Sequence, residues 1–276
     1  MRVSRWVVGV VMGLGMAATA SGQTAKGDTT LKSEEAPPLF SRSDAWIAGG
    51  FAAATVLAMP VDERLAEWMQ QPARQNNSAM KGTATVFRNL ADPGTVVIAG
   101  GLYVAGLLDH NATMTDVGFH SGEAIVASSV VGWAIKSVAG RARPRVDIHR
   151  PHDFKLGRGF GAAGDYQSFP SGHTLAAFSL AAAVTAESGR LWPDHQMLIG
   201  VLTYGGATLS GLSRMYNNAH WASDVLLGAG IGTLTGRMVV RWQHGHPGNW
   251  VDRTFNHVSA GPGPDGAMMV GGHATW

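Results

Sequence analysis

Two histidines stand where loops meet apolar runs, each with partners that chemistry on an anion would require. His173 lies in SFPSGHTLAAFS, from Ser168 to Ser179. At a helix start Ser171 and Gly172 would offer a hydroxyl and unshielded backbone N–H groups, and the unpaired donors and helix dipole there favour a phosphate. Pro-Ser-Gly is equally ordinary turn and N-cap chemistry. His220 lies in SGLSRMYNNAHWASDVLLG, with Ser213-Arg214 before it and Asp224 four positions after it. On one helical face Asp224 would hold one imidazole nitrogen of His220 and leave the other free to attack, unless the two form only a surface capping pair. A third segment, KSVAGRARPR, separates Lys136 by six residues from Arg143-Pro144. A step of seven is about two helical turns. Both cations would then face one side, with Pro144 stopping the helix and freeing Arg143 at its end.

From Lys136 to Arg158 there are seven Lys or Arg and two Asp, in a chain of net charge only +2. The plain alternative is that these cations complement a helix C-terminus. His149 and His152 have ligand-like spacing, but no nearby carboxylate pair clearly completes a metal site, so they read as surface histidines. The 25 residues between Pro144 and Pro170 carry four glycines and little apolar pattern. A connection of that length is expected to be functional, here as a substrate-covering loop.

The elements that must position these groups are six apolar runs, near 45–59, 95–108, 123–136, 174–187, 197–212 and 225–240. They are too long and continuous for strands and read as helices. Each is nearer in length to a buried core helix than to the roughly 20 residues of a membrane span, while their small residues suit close packing in lipid. Between the first two, a mixed segment predicts one or two surface helices broken near Pro72. Residues 1–20 resemble a secretory signal peptide with cleavage after Ala20 or Gly22, the alternative being an uncleaved anchor, and the mature chain is expected to be exported. Residues 21–43 read as a linker, 44–243 as the helical domain, and 244–276 as a Gly/Pro-rich tail, either disordered or a hairpin turning at Pro-Asp-Gly with Trp276 at its end.

With 45% apolar and 14% charged residues the chain is globular, and 21 basic against 19 acidic residues argue against a nucleic-acid partner. The lack of cysteine excludes disulfides, thiolate zinc sites and cysteine nucleophiles.

Taken together and in order, Lys136, Arg143-Pro144, Pro170-Ser171-Gly172-His173, Ser213-Arg214, His220 and Asp224 resemble the three-part signature of the type 2 phosphatidic acid phosphatase and vanadium haloperoxidase superfamily. The resemblance covers about 45–240. It implies an all-α fold with a six-helix core bundle and accessory surface helices. It further implies a phosphoric ester hydrolase in which His220 is the nucleophile, Asp224 its orienter and His173 the general acid. Lys136, Arg143, Arg214, Ser171 and Gly172 would bind the phosphoryl oxygens. No cofactor and no metal are expected. The substrate would be a phosphate monoester or diphosphate, of a lipid or of broad water-soluble type. Within the same fold the alternative is a vanadate-dependent haloperoxidase; outside it, a noncatalytic envelope protein. Localisation is expected in the periplasm or cell envelope, either soluble or membrane-associated: if all six helices spanned, an exported N-terminus would leave the signature on the cytoplasmic side. Oligomeric state is not legible.

Overall fold

The computed structural model describes residues 38–161, 164–255, 258–262 and 268–272. The expected signal peptide and most of the linker lie outside these residues. Among these residues ten α-helices follow in order: α1 (Arg42–Ala58), α2 (Asp62–Gln70), α3 (Pro72–Gln75), α4 (Ser78–Ala91), α5 (Gly94–Leu108), α6 (Ala112–Ala139), α7 (Gly172–Leu191), α8 (Gln196–Tyr216), α9 (Ala222–Gly245) and α10 (Trp250–Phe255). Strands β1 (Val258–Pro262) and β2 (Met268–Gly272) pair antiparallel, Ala260 opposite Val270; the residues between them and Trp276 are outside the described set. The fold is all-α, and the six apolar runs are α1, α5, α6, α7, α8 and α9.

Helix α7 is central, packing on α6, α8 and α9; α1 lies on α9, α5 on α6, and α4 on α8. Close packing follows from composition. On α9 glycines recur every fourth residue at 228, 232 and 236, one stripe facing α7. A Cβ at Gly232 would sit 2.4 Å from the Leu175 carbonyl oxygen, so only glycine permits this approach. The core is correspondingly small-grained: Ala124, Ala177, Ala181, Ala183, Ala207 and Ala229 are buried, with Ser128 and Ser179 bonded to each other at 2.7 Å.

Many large apolar side chains are on the outside, although Trp221, Leu175 and Phe178 are buried. Val96, Val97, Val126, Trp133, Val201 and Leu202 are all exposed. Water-soluble bundles place such residues inward, so this distribution leaves extended apolar flanks. Among the described residues the continuous stretch Arg42–Gln70 is long and apolar enough to cross a membrane, and α4 with α5 passes the same test as a pair bent by 49°.

Three local expectations are corrected. Helix α6 ends at Ala139, because Gly140 adopts a left-handed cap (φ 54°), and Pro144 plays no part in stopping it. The linker ends earlier than residue 43: Ser41 caps α1, exchanging hydrogen bonds with Asp44, so Arg42 and Ser43 are helical. The segment broken near Pro72 forms three helices rather than one or two, and its α2 is no mere surface helix, since Asp62 at its first turn is fully buried.

Candidate active site

The C-terminal ends of α6 and α8 and the N-terminal ends of α7 and α9 meet at one end of the bundle, and Arg141, Arg143 and Ser168 of the loop between α6 and α7 reach in against them. Arg143 lies in that loop rather than on α6. Its backbone N–H bonds the Asp165 carbonyl at 2.8 Å, and its Nη1 lies 3.2 Å from His220 Nε2 and 3.1 Å from the Ala219 carbonyl. His220 precedes α9, which starts at Ala222, so the helical-face argument for its pairing with Asp224 does not hold as stated. Its Nδ1 is 2.8 Å from the Ser168 carbonyl and only 3.5 Å from Asp224 Oδ2. A carbonyl can only accept, so Nδ1 carries the proton and Nε2 presents its lone pair towards Arg143. Burial, with Lys136 and Arg143 nearby, keeps His220 well below its ordinary pKa and therefore neutral.

Asp224 is fully buried. Burial alone would raise its pKa, but Arg141, His220 and the Ser168 hydroxyl hold it down at about 2. It accepts from the Trp221 backbone N–H at 2.9 Å and from Ser168 Oγ at 2.5 Å. Its strongest partner was not singled out from sequence. Arg141, wholly buried, donates Nη1 to Asp224 Oδ1 at 2.6 Å and Nη2 to Asp62 Oδ2 at 2.8 Å. Phe154, Phe169 and Trp221 surround its guanidinium at 4.8, 5.8 and 5.4 Å. Asp62 in turn binds the Ser223 N–H at 2.9 Å and hydroxyl at 2.5 Å. Arg141 stood inside the basic string, but nothing in the sequence separates a buried arginine from its exposed neighbours. Asp62 read as a surface charge.

His173 lies in the first turn of α7, its Nε2 3.7 Å from Asp92 Oδ2 in the α4–α5 turn. Burial and the cations Arg214, Arg143 and Lys136 lower its pKa to about 4, against an opposing effect of Asp92. Ser171 is the N-cap residue of α7 and is buried; its hydroxyl accepts from Thr174 Oγ1 at 2.9 Å, and its N–H bonds the Asp224 carbonyl at 2.9 Å. Gly172 follows as the first helical residue, 3.6 Å from the Lys136 side chain at its virtual Cβ. Lys136 Nζ donates to the Gln167 carbonyl at 3.0 Å and to that of Pro170; burial, Arg143 and Arg214 lower its pKa to about 7. Arg214 ends α8 nearly buried, its Nε without a protein partner, and burial with Arg143 lowers its pKa to about 10. Three mutually repelling cations thus converge with two neutral imidazoles, an arrangement that an anion relieves.

The cleft continues into a cavity of about 340 Å³ beside His173 and Lys136, walled by Val96, Ile125, Trp133 and Leu175. Trp133 meets Phe160 of the loop edge-on at 6.3 Å. His149 lies elsewhere: its Nδ1 is 2.9 Å from Glu63 and 3.6 Å from Glu67 on α2, so a carboxylate pair does lie near it, brought by the fold rather than by sequence proximity. All three side chains are well exposed, and His152 is exposed too.

Residues 117–247 match the family model described as the PAP2 superfamily. The lipid A 1-phosphatase of Porphyromonas gingivalis is 45% identical over 71 residues, 26% of this chain and 15% of that protein's length. A crystal structure of a transmembrane PAP2 type phosphatidylglycerolphosphate phosphatase from Bacillus subtilis superposes with a TM-score of 0.53 at 19% identity, covering 74% of this chain and 97% of the other. Over residues 117–247 of the helical domain, just under half of the chain, the protein is thus similar to the PAP2 superfamily.

Proposed function

We propose that the protein is a phosphoric ester hydrolase that cleaves lipid phosphate esters through a phosphohistidine at His220. The observation that carries this reading is the convergence of Lys136, Arg143 and Arg214, whose Nε is buried without a protein partner, on two neutral imidazoles. Phosphoryl transfer asks chiefly for charge stabilisation and in-line positioning, and three cations supply both without a catalytic metal. Ser171 and the Gly172 N–H, at the start of α7, add helix-end polarity to the same cradle.

In this mechanism the lone pair of His220 Nε2 attacks phosphorus as the bond to the ester oxygen breaks. His173 gives its proton to that oxygen. Water then attacks the phosphohistidine, with His173 taking the proton back and phosphate leaving. A pKa of about 4 makes His173 a poor proton carrier in the free cleft at neutral pH. Burial is the largest cause of that depression, and the negative phosphate offsets the three cations that add to it, so substrate itself raises the pKa of its general acid.

The apolar cavity beside His173 supports a lipid as leaving group, because the alcohol departs on the side of the general acid. The names of the two relatives, a lipid A phosphatase and a phosphatidylglycerolphosphate phosphatase, agree with that class. The apolar flanks associate the bundle with a membrane, in keeping with a protein of the cell envelope. The test is phosphate release by purified protein in mixed micelles from phosphatidate, phosphatidylglycerophosphate, lipid A and a soluble aryl phosphate. Lipid turnover above the aryl rate, lost in His220→Ala, is expected; equal turnover by that variant would overturn the assignment.

A further inference from the structure

At the end of the bundle away from the cleft, α6, α7 and α9 each contribute one residue to a second cluster: His120, Glu187 and His244. We propose that these three side chains bind a first-row divalent transition-metal ion of the zinc type, which ties the three helices together.

The geometry is convergent. The three ligand atoms lie within 4.8 Å of one another. His120 Nδ1 is 2.5 Å from Glu187 Oε1, and His244 Nε2 is 2.9 and 3.0 Å from the two Glu187 oxygens. The two imidazoles meet edge-on, centroids 5.3 Å apart at 88°, so each points a ring nitrogen at the same carboxylate. Two histidines and one carboxylate, with a position left for water, form a common donor set for zinc and its neighbours.

Burial and charge separate this cluster from an incidental surface pair. His120 is 3% exposed and Glu187 1%. Asp116 and Glu123, about one turn before and one turn after His120 on α6, also act on it electrostatically. The His244 side chain is 24% exposed, which gives an ion a route in from solvent. The cluster of Glu63, Glu67 and His149 has donors too, but all three are exposed and lack such enclosure.

The role assigned is structural. His120 and Lys136 are sixteen residues apart on α6, about 24 Å at 1.5 Å per residue, too far for the ion to touch a phosphate in the cleft. The inference therefore stands independently of the proposed reaction.

The experiment uses the full chain without an affinity tag, stripped with a chelator and exchanged into metal-free buffer. It is then equilibrated with zinc chloride alone and freed of unbound ion by gel filtration. Elemental analysis is expected to find one zinc per chain, with a rise in Tm of several degrees over the stripped protein. His244→Ala, whose side chain is partly exposed and whose loss the fold tolerates best, is expected to lose both the bound ion and the rise. His149→Ala is expected to keep both, and Glu187→Gln, if it folds, to bind at least tenfold more weakly. Less than a tenth of an equivalent bound by wild type, a full equivalent retained by His244→Ala, or a Tm indifferent to zinc would each overturn the proposal.

Discussion

Lys136 shows how burial converts an ordinary cation into a titrating one. With its pKa lowered to about 7 chiefly by desolvation, it is protonated below that pH and progressively neutral above it. In the proposed mechanism its charge helps to hold phosphate, so kcat/KM, which reports the free enzyme and already falls once His173 loses its proton near 4, is expected to fall more steeply, on an alkaline limb, as pH rises through about 7. Lys136→Arg, which stays charged, should move that alkaline limb upward; an unmoved limb would assign it to another group. The three cations proposed to bind phosphate and both histidines were legible as types and spacings. The true partners of His220 and Asp224 were not. The Ser168 carbonyl and Arg141 reach them through the fold from 52 and 83 positions away in sequence, and Asp62 reaches Arg141 from 79.

Helix α2 lies outside residues 117–247, yet its Asp62 completes the ion network beneath Asp224. Removing one member of a buried ion pair leaves an uncompensated charge, at a cost of about 3–5 kcal/mol. Asp62→Ala is therefore expected to lower stability by that amount in denaturant melts, with Asp62→Asn recovering part through its bonds to Ser223. A loss under about 1 kcal/mol would mean that Asp224 alone suffices for Arg141. The six core helices were readable as apolar runs. Their ends were not, because polar residues such as Asp116 and His120 begin α6 well before its apolar stretch, and because a left-handed glycine rather than a proline ends it. The α9 glycine stripe was visible in the sequence, but its meaning depended on α7 lying against it.

At the scale of the whole molecule the described residues are turned outward, with alanine, glycine and serine filling most of the core around a few large side chains such as Trp221 and Leu175, and many valines, leucines and tryptophans on the flanks. Composition cannot reveal this, since it counts apolar residues without saying which way they face. The flanks predict that the protein sediments with membranes and is released by detergent rather than by salt or carbonate. Release by salt alone would make the association electrostatic. The relation between this surface and the cleft gives the protein its proposed character, a phosphate cradle at one end of a lipid-facing bundle with an apolar cavity beside the general acid. The central claim is that phosphate passes through His220, and rapid-quench trapping with a 32P-labelled substrate tests it most directly. Wild type is expected to yield a labelled protein whose phosphate is stable to alkali, labile to acid and located by peptide mapping at His220. Turnover without any such species under conditions that trap phosphohistidine, or label remaining in His220→Ala, would contradict the account.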